Sequence, residues 1–364
     1  MSHDRSLISF PQAAADRPAS NLEWWYCYAF LTGSAGRRYA VMVSFFRVGE
    51  LPVHKGHYLI SSFTCLDERK VQARSYLDRR LIHQLKGFYF PAYFLLNPGD
   101  RSMWKQYSTL LAGSLPSPHL RMGPSSVQAK PPRLIYGNYE WTFPHEEKPD
   151  FDLLIQERSA RLHLNFTPVK PASLIDEHGT INGFRYASLT RNQVTGELQT
   201  PDGLQTVSGE GWFDRQWGRN YGLLLGTGWD WFGLQLKDGR DLLISRLHPA
   251  NSELPEEPVA KLIHTNGEIV TVGRVGLQPL RYWKSLYTGM KYPVEWQVDL
   301  PDLSISLHVA PLLNQQEMPI IGPLRAIWEG ACTVTGESRG PQAARVRIRG
   351  KGFMELVGYT EGSA

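Results

Sequence analysis

The chain has 364 residues, 42% hydrophobic and 20% charged. This balance supplies a core and excludes wholesale disorder, collagen and coiled-coil compositions. The 39 Lys and Arg against 35 Asp and Glu leave a net charge of +4, interleaved along the chain rather than blocked, so no basic nucleic-acid footprint is present. Cys27, Cys65 and Cys332 are widely spaced with no CxxC pair, which argues against a zinc knuckle or disulfide framework and for small buried side chains.

In chain order, residues 1–20 read as an N-terminal arm. Asp4, Asp16 and several polar residues interrupt the apolar run that a secretory signal needs, and no stretch reaches the roughly 20 apolar residues of a transmembrane helix. A soluble cytoplasmic protein without stable membrane insertion is expected. Arg74 to Gly87 is the one segment read as a short helix, and Asn97-Pro98-Gly99-Asp100 is a turn signal. Residues 113–134, rich in Pro, Ser and Gly, read as a long surface loop or strap, and Pro249 to Pro258 as a second loop. Strict alternation marks strands at Arg161 to Phe166, Leu303 to Val309 and Arg345 to Arg349. Asp202-Gly203, Asp238-Gly239 and Asn266-Gly267 supply hairpin punctuation. The reading is all-β: two antiparallel barrels over 21–220 and 221–364, with their junction near Asn220, where closure removes exposed strand edges.

The 11 Trp, 16 Tyr and 15 Phe are clustered at Trp24-Trp25-Tyr26, at Trp212 to Trp217 and at Trp229 to Phe232. Their plain role is to fill barrel interiors. Charged residues share these clusters: Glu23 precedes the first, Asp214 and Arg215 lie in the second, and Asp230 stands between two Trp. A carboxylate among indoles must be paired, hydrogen-bonded or held with a raised pKa, and the last case suits general-acid chemistry.

Three segments, Asn21 to Tyr26, Gly209 to Gly218 and Gly228 to Leu236, together resemble the AttH-like branch of the carotenoid 1,2-hydratase family. Tyr292 to Trp296, Gln316-Glu317, Trp328 to Ala331 and Gly350 to Tyr359 continue the resemblance in order, so that it spans roughly residues 21 to 360. It implies two lipocalin-like β barrels packed side by side with an apolar pocket near their junction. It also implies chemistry on greasy substrates without a redox cofactor: hydration of an alkene, or cyclisation, including Diels–Alder catalysis, of polyene and polyketide intermediates. One departure stands out, because Arg215 and Gln216 occupy positions where many relatives carry His and Glu.

The expected function is a cofactor-independent hydratase or cyclase acting on a polyene, terpenoid or polyketide. Asp214 is the first candidate acid, with Asp230 and Glu23 behind it. Trp24, Trp25, Tyr26, Trp212, Trp217, Trp229 and Trp231 are candidate substrate-lining aromatics, able to stabilise developing cations by roughly 0.5 to 2 kcal/mol each. Arg215 joins them as a candidate binding residue, and Gln235, four residues beyond Trp231, would face the same side and could orient a carbonyl. A structural role is the alternative at each: an ion pair of Asp214 with Arg215, Arg191 or Arg219, hydrogen bonding by Glu23 at a barrel mouth, and structural placement of Glu329 and Glu355. A carrier of a hydrophobic small molecule is the alternative function, and a hydrolase a weaker one, since no Gly-x-Ser-x-Gly elbow or His-Glu-x-x-His motif occurs. No metal is expected at His54 and His57, whose spacing on a strand points the rings apart. No nucleotide-binding loop is present.

Overall fold

A computed structural model describes residues 8–181, 183–222, 226–250, 254–339 and 345–360. Two largely antiparallel sheets, of thirteen and ten strands, curl into two lipocalin-like barrels packed side by side. The centre of the first sheet runs Arg38–Val48, Leu22–Gly33, Gly203–Gly218, Phe184–Thr200. The centre of the second runs Asp241–His248, Gly228–Leu236, Arg345–Val357, Ala326–Arg339. Hairpins close where expected, with Gly203, Gly239 and Gly267 at φ of +126°, +88° and +83°, a region that favours glycine.

The central strands are buried on both faces, and alternation divides their side chains between two environments. Trp25, Cys27, Ala29, Leu31, Phe213 and Trp217 enter the interior of the first barrel. Trp24, Tyr26, Tyr28, Trp212, Trp231 and Phe353 enter a second cluster that spans the junction. Phe232, Leu234, Trp296, Met354 and Leu356 fill the second barrel. Residues 8–20 contribute Phe10, Ala13 and Ala14 to the first barrel's core, where Trp25 Nε1 donates to the Ala14 carbonyl at 2.8 Å.

Polar contacts also lock the barrels together. Buried Asp241 of the second sheet accepts from Lys170 at 2.6 Å, from Arg191 at 2.6 Å and from Thr190 at 2.9 Å, all from the first half of the chain. Tyr28 Oη donates across the junction to the Gly233 carbonyl at 3.0 Å.

Three sequence expectations are corrected. The segment read as a helix over Arg74 to Gly87 begins as the strand Lys70–Leu77, and the helical run is longer than expected: Arg79–Gln84, a π turn Leu85–Tyr89, Phe90–Leu96 and Arg101–Leu111. Period-two burial takes the first part, and Asp78 then caps the run by accepting from Leu81 N at 2.7 Å. Asn97 to Asp100 turns between helices rather than strands, and Asp100 caps the last helix through Ser102 N and Met103 N, both at 3.0 Å. Within 113–134, read as a loop or strap, the chain instead forms Leu120–Arg121, Ser125–Ala129 and Pro132–Tyr136, which extend the first sheet at its edges. The described residues of Pro249 to Pro258 have no helix or strand. Among the described residues no helix is long and apolar enough to cross a membrane.

Candidate active site at the barrel junction

A cavity of about 250 Å³ opens where the two central sheets face each other. Trp24, Tyr26, Trp229 and Trp231 form aromatic walls, and Asp214, Tyr186, Gln216 and Glu355 supply polar groups. The walls are mutually braced: Trp24 meets Trp229 with ring centroids at 5.7 Å, and Tyr26 meets Trp231 at 5.4 Å, both edge to face. Gly233 makes room for this arrangement, since a Cβ there would collide with the Trp231 indole lying across it.

Asp214 is buried, and its hydrogen-bond partners are neutral donors. Tyr186 Oη reaches Oδ2 at 2.5 Å, while Trp212 Nε1 at 2.6 Å and the Ser188 hydroxyl reach Oδ1. Trp231 Nε1 in turn donates to Tyr186 Oη at 3.1 Å. The cations considered as ion-pair partners are engaged elsewhere: Arg215 with Glu23, Arg191 with Asp241 and Glu210, Arg219 with Glu50. Burial raises the carboxyl, the three donors offset part of the rise, and it settles at about 7. A group poised there exchanges a proton readily at neutral pH.

A second acid faces the same cavity. Burial pushes Glu355 up to about 8, with the Asp214 charge adding to the rise and a 2.8 Å bond from Trp229 Nε1 opposing it. Glu329 lies directly opposite Glu355 in the strand register. Burial, and then the charge of Glu355, holds its carboxyl well above the ordinary range. Its carboxyl and the Tyr26 hydroxyl approach each other without a well-aligned hydrogen bond. Sequence reasoning placed both glutamates as structural. Their signal was alternation: 353, 355 and 357 share a face, as do 327, 329 and 331, and the apolar members of both sets line the junction. Tyr186 and Ser188 were missed, because an isolated Tyr-x-Ser on a strand carries no motif.

The structure separates the remaining candidates by face. Glu23, Trp25, Arg215 and Trp217 point away from the cavity into the first barrel. There the Arg215 guanidinium pairs with Glu23 and lies 3.8 Å from the Trp25 ring centroid, while Arg47 binds Glu23 at 3.1 Å. Glu23 is therefore an ion-pair partner rather than an acid of this site, and Arg215 does not line it. Asp230 points the other way. It is gripped by Arg246 at 2.5 Å and Tyr359 Oη at 2.7 Å, with His248 Nε2 2.9 Å away. Burial alone would raise this carboxyl, but these partners outweigh it and hold it below its ordinary value. Trp212 packs beside the site and bonds Asp214 without lining the cavity. Gln235 shares the face of Trp231, as expected, but its amide donates to the Thr190 and Gly211 carbonyls at 2.8 and 2.9 Å. His57 Nδ1 bonds Asp78 at 2.7 Å, and His54 sits on a separate 3-10 turn.

A second chamber of about 130 Å³ adjoins the first, sharing Asn220 and Trp229 with it. Its walls are nearly all apolar: Leu81, Leu85, Tyr89 and Phe90 from the helical run on one side, Ile320 and Leu324 from the second barrel on the other. The first chamber is thus acidic and aromatic, and its neighbour largely apolar.

Comparison with known proteins agrees with this architecture. No curated protein matches the sequence. A crystal structure from Nitrosomonas europaea described as AttH superposes with a TM-score of 0.71 at 22% identity, covering 98% of each chain. Kievitone hydratase from Nectria haematococca superposes at 0.67 with 14% identity, over 98% of this chain and 94% of that one. CghA, solved with Sch210972, gives 0.51 with 11% identity over 94% and 90%. At these identities the likeness is one of fold. The AttH-like family model matches residues 119–359, from the first sheet's edge to the last junction strand, and by that match the chain belongs to the AttH-like family.

Proposed function

We propose that the protein is a cofactor-independent hydratase or cyclase acting on an apolar, unsaturated small molecule. The observation that carries this reading is Asp214: a buried carboxyl poised at about 7, held by neutral donors and facing an aromatic cavity. In hydration, a carboxyl proton passes to one alkene carbon, either directly or through Tyr186 Oη. Water adds to the other carbon, and the proton that water loses returns to a carboxylate. Asp214 on the first sheet and Glu355 on the second face the cavity from its two sides and provide donor and acceptor. The indoles of Trp229 and Trp231 stabilise the cation formed between these steps. In cyclisation, the same walls fold the chain so that an internal carbon or oxygen takes the place of water. Kievitone hydratase among the structural neighbours supports hydration chemistry on this fold.

The test begins with native mass spectrometry and solvent extraction of the purified protein, followed by incubation of polyene, terpenoid and polyketide candidates in ¹⁸O-labelled water. Hydration incorporates the label, cyclisation converts substrate without it, and Asp214→Asn abolishes either. Return of every bound ligand unchanged would favour a carrier and overturn the catalytic reading.

A further inference from the structure

The helical run 79–111 covers the apolar chamber with one stripe and turns a second, unusual stripe outward. Leu81, Leu85, Met103 and Leu110 face inward and are buried. On the last helix the exposed positions recur at helical spacing: Arg101, Trp104, Lys105, Ser108 and Leu111. On the preceding run Phe88, Leu95 and Leu96 are outside, the leucines 84% and 68% exposed. Trp104 stacks on Phe94 at 3.9 Å, which sets one outer stripe beside the leucine end of the other. A surface this apolar needs a partner.

Its charge identifies which. Residues 79–111 contain Arg79, Arg80, Lys86, Arg101 and Lys105 against a single acid, Asp100. The sum, +5 − 1 = +4, equals the net charge of the whole chain. Asp100 faces its own helix, accepting from Ser102 N and Met103 N. Large apolar side chains interleaved with cations on short surface helices match the interface of an anionic bilayer. The cap is also braced for such contact, since the Gln106 amide forms paired hydrogen bonds with the backbone of Gly322 on the second barrel, at 3.1 and 3.4 Å.

We infer that the helical cap docks the protein peripherally on an anionic lipid surface, with Phe88, Leu95, Leu96, Trp104 and Leu111 entering the headgroup region and the cations meeting lipid phosphates. Docking places the apolar chamber directly behind the lipid interface. The inference does not depend on turnover, so it and the proposed chemistry can fail separately.

The test is flotation of the full chain with phosphatidylcholine vesicles and with equimolar phosphatidylcholine–phosphatidylglycerol vesicles. Binding is expected to the anionic vesicles and to weaken at high salt. Arg101→Ala/Lys105→Ala should lower the partition coefficient about 25-fold, at about five-fold per cation, and Leu95→Glu/Leu96→Glu should abolish binding. All four positions are exposed, and an unchanged circular dichroism spectrum verifies folding. No binding to anionic vesicles, or equal binding by both double variants, overturns the inference. So does a dimer in light scattering that Leu95→Glu/Leu96→Glu dissociates while wild type ignores vesicles, since a second copy would then cover the patch.

Discussion

Asp214→Asn separates the electrostatics of the site from its shape. The asparagine is isosteric: Oδ1 still accepts from Trp212 and Ser188, and the bond to Tyr186 reverses, with Nδ2 donating to Oη as a protonated acid would. What it removes is ionisation. With its carboxyl raised to about 7 from an ordinary 3.8, the folded chain holds this proton more tightly than the unfolded chain. The stability this contributes is full below pH 3.8, falls as the unfolded carboxyl ionises first, and is lost once pH passes about 7. The full gap corresponds to about 4 kcal/mol. Most of it falls between pH 5 and 8, where the variant should gain about 3 kcal/mol relative to wild type. Guanidinium unfolding followed by tryptophan fluorescence at both pH values reads the difference; titrating groups away from the site cancel because both proteins share them, while Glu355 loses the part of its rise that the Asp214 charge supplies. A stability difference that stays constant with pH would refute the raised carboxyl and, with it, the main support for Asp214 as the proton donor.

Other substitutions test the assignment of each buried charge. Glu23→Gln leaves Arg215 buried without its anion and should destabilise by about 3 kcal/mol in thermal or chemical unfolding while leaving ligand binding at the junction intact; selective loss of turnover without loss of stability would return Glu23 to the site. Asp241→Asn strands Lys170 and leaves Arg191 with Glu210 alone at the barrel interface, and an unfolding free energy lower by about 3 kcal/mol is expected. Tyr186→Phe deletes a hydrogen bond that lowers the Asp214 carboxyl, so the alkaline limb of the kcat profile should move to higher pH; a limb that stays in place would mean that another group sets it. Gly233→Ala should push the Trp231 indole into the cavity and weaken binding of bulky ligands, measured by calorimetry, with little change in fold.

Much of the β architecture was legible because side-chain alternation is a local property. Arg161–Pro168 and the hairpin glycines read correctly from their own residues. The helical cap was not, because its helices are short and their outer stripe mixes Phe88, Leu95, Leu96, Trp104 and Leu111 with cations, so no uniformly polar face marks them, and their order depends on covering a chamber made by distant strands. At the site, Asp214 among tryptophans was legible as a candidate, yet its partners were not. Tyr186 and Ser188 meet Asp214 through the register of the first sheet, and Glu355 joins them only because the second sheet packs against it.

By itself, then, the sequence determined the all-β character, the aromatic richness of the junction strands and the positions where a carboxyl sits among indoles, since these follow from composition and periodicity. Tertiary structure decided which face of each strand meets which barrel. In an ordinary half-exposed strand, polarity reveals the inward side. Here the central strands are buried on both sides, so Trp24 and Trp25, or Asp214 and Arg215, look equivalent in the chain. Only the packing of one barrel against the other sends Asp214 to the cavity and Arg215 to Glu23.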